Sequence, residues 1–353
     1  MIYNATVLPS IFHVEPGAIH HVCRILDAQG LSTSRTLLLS GRAHSHTVAQ
    51  IVQKEIGQAE LRIVEDHSEA EVDRIGRNLG QSTLLLAIGG GGVIDVAKRV
   101  SKRYGVPCLV IPTVVSNDGL MSPISVLQTS PGRFESLPSA APIGVIADLD
   151  IIMAAPPQYL RASGGDLLSN LSATSDWSHI VGRGDGPKMN DAAFHLSRNS
   201  AESLVHWSDC NLSDPAFVRN LIVAQIYSGI AMTLAGTSRP CSGPEHLVSH
   251  ALDELNLTPN VLHGVQVGSV CLFMLYLMGE LTPEILRFAE AMQLPALWTD
   301  LSPGLEKRVP EVLERTRQVR PDRRTILDEM TDEEIMDQLA DYSGRRRSKL
   351  RVI

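Results

Sequence analysis

From residue 36 to residue 111, short apolar runs alternate with amphipathic stretches, and this rhythm limits the fold more than any other feature. The runs fall at residues 36–39, 61–64, 83–88 and 107–111, and residues 44–56, 70–79 and 93–103 between them place apolar side chains at helical spacing. Runs without polar alternation are strands buried on both faces. A helix between each pair carries the chain back to the same end of the sheet, so the segment reads as a mostly parallel sheet covered by helices. Residues 143–147 are read as a last strand. Beyond them strand-like runs nearly vanish, and residues 166–180, 216–234, 246–255, 263–278, 283–292 and 332–341 are predicted helices. The expected architecture is an α/β, Rossmann-like domain over residues 1–155 followed by an all-α domain over residues 156–353, a division that suits the length of the chain. Ligands of open parallel sheets bind beyond the carboxyl ends of the strands, so a cofactor and substrate are expected in a cleft between the two domains.

Gly89, Gly90, Gly91 and Gly92 follow the run 83–88 directly and open the next predicted helix. Without side chains the backbone can approach a pyrophosphate, and the unpaired amides and dipole of a helix start attract its charge, which makes this a dinucleotide site. The run is not GxGxxG and has no downstream acid in register. Cofactor choice depends on what meets the adenosine ribose after the first strand of the rhythm, at Ser40, Gly41 and Arg42. No acid stands there in sequence. Arg42 reads either as tolerance of the extra phosphate of NADP or as a plain surface charge, so NAD and NADP both remain open.

In the helical half, GGDLLSN carries Asp166 at a predicted helix start, EHLVSHALD carries His246 and His250 one turn apart, and His263 opens HGVQVG. Asp166, His246 and His263 provide one carboxylate and two imidazoles, a donor set for one divalent zinc, iron, nickel or manganese ion with a position left open for substrate.

These motifs also carry a resemblance. GGGGVIDVAK (residues 89–98) resembles the GGGSxIDxAK signature of the iron-containing alcohol dehydrogenases and their glycerol dehydrogenase relatives, with Gly92 where a polar residue usually stands. PTVVSNDGLMSPIS (residues 112–125) resembles the PTxxSxDGxxSP element of the glycerol-1-phosphate dehydrogenases, and the chain looks like a member of that family. The resemblance covers residues 84–268 and, more loosely, the whole chain. It implies that Gly89 to Gly92, Thr113, Ser116 and Ser122 bind the cofactor, that Asp166, His246 and His263 hold the metal, and that Asp118, Asp166 and His250 face the substrate. His250 and Asp118 would then be the catalytic pair, His250 or a water that it orients supplying the proton near neutral pH. Asn170 replaces the fourth ligand His of the alcohol dehydrogenases, which fits a three-ligand site, and Val265 departs from the Glu or Lys of many relatives. The implied activity is metal-dependent, NAD(P)H-linked reduction of dihydroxyacetone phosphate to sn-glycerol 1-phosphate, with zinc, nickel or iron as the metal. Dehydrogenation of another polyol or sugar phosphate, a dehydroquinate-synthase-like cyclase and a non-catalytic relative are the alternatives. A homo-oligomer is expected by the same resemblance.

A net charge of -8 argues against a nucleic-acid surface, which needs clustered cations, and the one basic cluster, residues 345–351, reads as a solvated, frayed tail. Cys23, Cys108, Cys210, Cys241 and Cys271 form no CxxC pair and read as thiols of a reducing compartment. The longest apolar stretch, residues 265–278, reads as too short to cross a bilayer, and a cytoplasmic enzyme without a membrane span is expected.

Overall fold

The computed structural model describes residues 9–184, 186 and 188–350. The elements of the first half are β1 (Ile11–Glu15), α1 (Val22–Ala28), β2 (Thr36–Ser40), α2 (His44–Ile56), β3 (Glu60–Ile63), α3 (Glu69–Arg77), β4 (Leu84–Gly89), α4 (Gly91–Tyr104), β5 (Cys108–Pro112), β6 (Ile124–Ser130), β7 (Arg133–Pro138), β8 (Gly144–Asp148) and α5 (Leu149–Ala154). Helices follow: α6 (Gln158–Gly182), α7 (Asp191–Val205), α8 (Pro215–Ala235), α9 (Pro244–Glu254), α10 (His263–Leu277), α11 (Pro283–Ala291), α12 (Val309–Val319) and α13 (Asp332–Leu350). The chain forms two compact units, Met1–Tyr159 with Leu212–Thr233, and Leu160–Asn211 with Leu234–Ile353.

In the first unit six strands pair in the order β1-β8-β5-β4-β2-β3, every neighbour parallel. The central strands β2, β4, β5 and β8 are buried along their whole length, which is why they appear in the sequence as unbroken apolar runs. Leu38, Leu86, Ile88, Leu109 and Ile146 of these strands pack in one core with Val48 and Val52 of α2. The strand order also locates a crevice. From β2 the chain moves outward to β3, and from β4 it moves outward the other way to β5, so the loops after β2 and β4 part at their carboxyl ends.

Besides the short helices α1 and α5, two further parts of this unit were not anticipated. β1 precedes the regular rhythm and joins the sheet edge beside β8, and β6 and β7 form a separate antiparallel hairpin. Much of that hairpin is exposed, so it lacks the unbroken apolar runs that mark the sheet strands. A larger difference concerns α8. Read from sequence it belonged to the helical domain, yet Leu212–Thr233 packs within the first unit. There Arg219 Nε donates to the Val14 carbonyl at 3.0 Å, and a Cβ on Gly229 would lie 2.6 Å from the Met121 backbone. Helix α8 is apolar on nearly every side, so it has no single face to indicate which core it joins. It is also long and apolar enough to cross a membrane by length and composition, but 67% of that window is buried within the protein, the condition of a core helix.

In the second unit α6 runs for 25 residues and begins two turns before Asp166, so Asp166 lies inside a helix rather than at its start. α7 and α12 went unpredicted. The buried face of α7 includes Ser197 and Ser200 beside Ala193, Ala201 and Leu204, and small polar residues hide an apolar period. The C-terminal basic segment is helical through Leu350 rather than frayed: Arg345 pairs with Asp341 at 2.9 Å and lies over the Tyr276 ring. Arg351 lies outside the described residues.

Candidate functional site

The glycine run forms the turn between β4 and α4. Gly89 ends the strand, Gly90 caps the helix without a side-chain hydrogen bond, and α4 begins at Gly91, two residues earlier than predicted. The glycines are not equivalent. A Cβ on Gly91 would meet nothing within 4 Å, which leaves the helix start open to a ligand. A Cβ on Gly92 would fall 2.2 Å from the His67 ring, so the imidazole of His67 takes the room that a polar side chain would need there. That neighbour comes from the loop after β3, and nothing in the motif predicts it. Thr113 is buried beside the run: its amide donates to the Gly89 carbonyl at 3.0 Å, and its hydroxyl lies 3.2 Å from Ser45 Oγ. At the end of β2, Arg42 is paired with Glu65 from the loop after β3. An acid therefore does stand at this position, brought by the sheet rather than by the local sequence.

Asp118 opens a short 3-10 turn, and its Oδ2 accepts from Ser228 Oγ at 2.9 Å. Ser228 belongs to the part of α8 in the first unit and escaped the sequence reading because its helix was placed elsewhere. Ser116 is partly exposed, while Ser122 is buried, its amide donating to the Asp118 carbonyl at 3.0 Å and its hydroxyl to the Ile124 carbonyl at 3.4 Å. Lys98, the last residue of the GGGGVIDVAK motif, is fully buried. Its Nζ donates to the Gly119 carbonyl at 2.7 Å and to the Ile124 carbonyl, and pairs with Asp95 at 3.0 Å. The motif thus does two things: its glycines shape the helix start, and its lysine clasps the turn that carries Asp118.

In the second unit, Asp166, His246 and His263 offer ligand atoms that all lie within 4.8 Å of one another. Their approach depends on a glycine crossing. A Cβ on Gly264 would fall 2.0 Å from the Ala162 carbonyl, and one on Gly165 would fall 2.2 Å from the Gly264 carbonyl, so α6 and α10 touch backbone to backbone. Asp166 follows Gly165 and His263 precedes Gly264, and the close crossing brings their side chains together. We expect Gly264→Ala to force the helices apart, destabilising the unit by about 1–3 kcal/mol and lowering its thermal midpoint by about 3–10 °C in a melting experiment. An unchanged midpoint would mean that the crossing yields freely.

Both imidazoles are oriented from behind. Glu245 is fully buried and its carboxylate accepts from His246 Nδ1 at 3.0 Å, from the Gly243 amide at 2.6 Å and from Ser172 Oγ at 2.8 Å. On the other side Ser249 Oγ donates to Gln266 Oε1 at 2.6 Å, leaving its oxygen to accept from His263 Nδ1 at 3.3 Å. Gln266 is in turn fixed on Asp253 and Thr258, each at 2.9 Å. Nε2 of each ring is then the free donor atom, 3.8 Å and 3.9 Å from Asp166 Oδ1. Glu245 and Ser249 were not singled out from sequence, although each stands close to a candidate ligand in EHLVSH. Burial first and His246 second push the His263 pKa down to about 3, which keeps its ring neutral as a ligand must be. The Asp166 side chain is 6% exposed, that of His246 12% and that of His263 31%, so the cluster opens to solvent on the His263 side. A buried three-donor set with oriented imidazoles and one open side fits a catalytic divalent metal.

His250 lies beside the cluster, its ring centroid 6.4 Å from that of His246 and 6.0 Å from that of His263. Its pKa is held well below the ordinary histidine value, by burial first and then by His263 and Arg320. The expected proton exchange near neutrality by its own ionisation is therefore not the state found here. Asn170 turns away from the trio, its Nδ2 donating to the Ser197 carbonyl at 3.3 Å and to Ser200 Oγ at 3.1 Å.

Comparison with known proteins places these features in context. The iron-containing alcohol dehydrogenase family model matches residues 13–156. A glycerol-1-phosphate dehydrogenase (NAD(P)+) of Methanosarcina acetivorans is 34% identical over 313 residues, 88% of this chain and 86% of the relative. One from Thermococcus sibiricus is 40% identical over 246 residues, 69% of each chain. Among solved structures, glycerol dehydrogenase from Schizosaccharomyces pombe superposes with a TM-score of 0.80 at 18% identity, covering 97% of this chain and 91% of that one. Sulfoacetaldehyde reductase from Bifidobacterium kashiwanohense, in complex with NAD+, does so with a TM-score of 0.72 at 16% identity, covering 97% and 99%. At those identities the structures report the fold.

Proposed function

This chain belongs to the glycerol-1-phosphate dehydrogenase family, and on that premise we propose that it catalyses the reversible, NAD(P)H-linked reduction of dihydroxyacetone phosphate to sn-glycerol 1-phosphate. The observation that carries the reading is the Asp166, His246 and His263 cluster, with both Nε2 atoms freed toward Asp166 by partners on Nδ1. These residues would hold a divalent metal, zinc by the mixed nitrogen and oxygen donor set and equally nickel or iron. Bound, the metal supplies Lewis acidity toward a ketone oxygen, and reduced nicotinamide supplies hydride.

The remaining work falls to the side chains of this protein. The amides at Gly91 and Gly92 and the dipole of α4 receive the pyrophosphate, with Thr113 and Ser45 beside them. Ser116 and Ser122 complete the cofactor side of this reading, Ser122 through the buried turn that it closes. Asp118, fixed by Ser228 and by the turn under Lys98, hydrogen-bonds a substrate hydroxyl. His250, neutral, orients the water that returns a proton to the oxygen formed from the ketone. Self-association and a cytoplasmic location belong to the same proposal, and light scattering of the purified chain reads the first.

The test follows cofactor absorbance with metal-loaded protein, dihydroxyacetone phosphate, and NADH or NADPH in parallel, and then determines the chirality of the product. Oxidation yielding the sn-1 isomer supports the reading; the sn-3 isomer, or no turnover with bound metal, refutes it. The Arg42 and Glu65 pair gives an expectation for cofactor choice. Glu65→Gln removes the carboxylate that repels a 2′-phosphate, and should shift the NADPH to NADH ratio of kcat/KM upward by about tenfold, whereas Arg42→Ala should shift it down. Equal effects on both cofactors would place the adenosine ribose elsewhere.

A further inference from the structure

The second unit contains a group of arginines for which the metal cluster has no use. Arg239 precedes α9, Arg320 and Arg323 follow α12, and the three line one cavity of about 370 Å³ together with Thr237 and Asp322. Arg239 is buried and has an acid beside it, Asp176 at 3.5 Å. Among the described residues neither of the other two has an acid within ion-pair distance, although Glu245 and Asp176 act on Arg323 from farther off. Arg320 Nη1 donates to Ser238 Oγ at 3.3 Å; Arg323 donates to the Ser242 carbonyl at 2.6 Å and to Ser238 Oγ at 2.8 Å. Among the described residues neither forms an ion pair, and Asp322, exposed at the rim, pairs with neither.

Two half-buried guanidinium groups with neutral acceptors only, and a third cation nearby, are held against their mutual repulsion. Burial pushes the Arg323 pKa down to about 9 and Arg320 and Arg239 add to the shift, while Glu245 and Asp176 oppose it. Such an arrangement is offset when an anion enters, and the planar fork of arginine matches the oxygens of a phosphate. Two further features place the anion. Arg323 holds the Ser242 carbonyl just before α9, whose positive end adds to the field. The Ser242 residue that Arg323 holds lies just before the first turn of α9, which carries His246. An anion held there sits in the same unit as the metal cluster, at the start of the helix that carries His246.

We propose that Arg320 and Arg323, backed by Arg239, form the subsite for the phosphate of the substrate, so that selection of a phosphorylated ketone over its unphosphorylated analogue is made by this loop. The proposal rests on the reading of the trio as the site that takes the ketone. Arg320 has one weak hydrogen bond to lose, so Arg320→Gln should fold, and Arg323→Lys keeps the charge while removing the fork.

The experiment compares kcat/KM for dihydroxyacetone phosphate and for dihydroxyacetone in metal-loaded wild type and both variants, and titrates each protein with inorganic phosphate. We expect a loss of about 100-fold on the phosphorylated substrate, at least ten times the loss on dihydroxyacetone, with weakened phosphate binding in both variants. Equal losses on both substrates, or no loss on either, overturn the proposal. So does a loss that follows NADPH rather than the ketone, which would make the ligand the cofactor phosphate. If wild type turns over neither ketone, the proposed function falls, and the phosphate titration alone still decides the cluster: unchanged affinity in both variants refutes it.

Discussion

Asp166→Ala, His246→Ala and His263→Ala should each leave a protein that no longer retains stoichiometric metal and has lost turnover by about a thousandfold or more, because changing only a partner of a ligand weakens metal binding by about 10–100-fold. The structure supplies the reason for so steep an expectation. Among the described residues three donors converge in the cluster, and Asn170, at the place of a fourth, donates to Ser197 and Ser200. Loss of one ligand therefore leaves two donors of the set of three. Glu245→Gln should produce the milder, partner-type loss, since a carboxylate that accepts three hydrogen bonds is what fixes His246 Nδ1. His250→Ala should keep its metal while losing activity. Elemental analysis after gel filtration, beside a cofactor-oxidation assay, separates these outcomes. Full metal content and full turnover in any one of the three ligand variants would remove that residue from the site.

Lys98→Met should destabilise the first unit by about 3–5 kcal/mol, because it leaves the mostly buried Asp95 carboxylate, 16% exposed, without its ion-pair partner. The carbonyls of Gly119 and Ile124 lose their donor in the same step. For a unit of this size that loss corresponds to about 6–20 °C in its thermal midpoint. Adding Asp95→Asn removes the lone charge, so the double variant should be more stable than Lys98→Met alone. A double variant less stable than both singles would show that the pair is not acting as a pair. Because Lys98 holds the turn at Gly119, the single variant should also weaken whatever Asp118 binds; an unaltered KM would separate the clasp from the site.

Much of this molecule could be read from residue order alone. Strands buried on both faces leave short apolar runs, and their alternation with amphipathic stretches made the parallel sheet and its helices legible from residue 36 onward. The glycine run and the spacing of His246 and His250 are local patterns, and local patterns survive in a linear sequence. What could not be read was anything supplied by a distant segment: His67 filling the space over Gly92, Glu65 meeting Arg42, Ser228 holding Asp118, and α8 joining the first unit. The arginine loop after α12 belongs to the same class, since only the fold brings residues 320–323 to Arg239 and Ser238.

The sequence by itself determined the fold class, the family and the chemical types in the candidate metal set, because donor identity and apolar periodicity are properties of residues and their immediate order. Only the tertiary structure decided the distances: a backbone contact between α6 and α10 at Gly165 and Gly264 draws Asp166 to His263, and hydrogen bonds on each Nδ1 aim both rings inward. The physical reason is that coordination and pairing act over a few ångströms in space, whereas the groups that make them lie scores of residues apart along the chain.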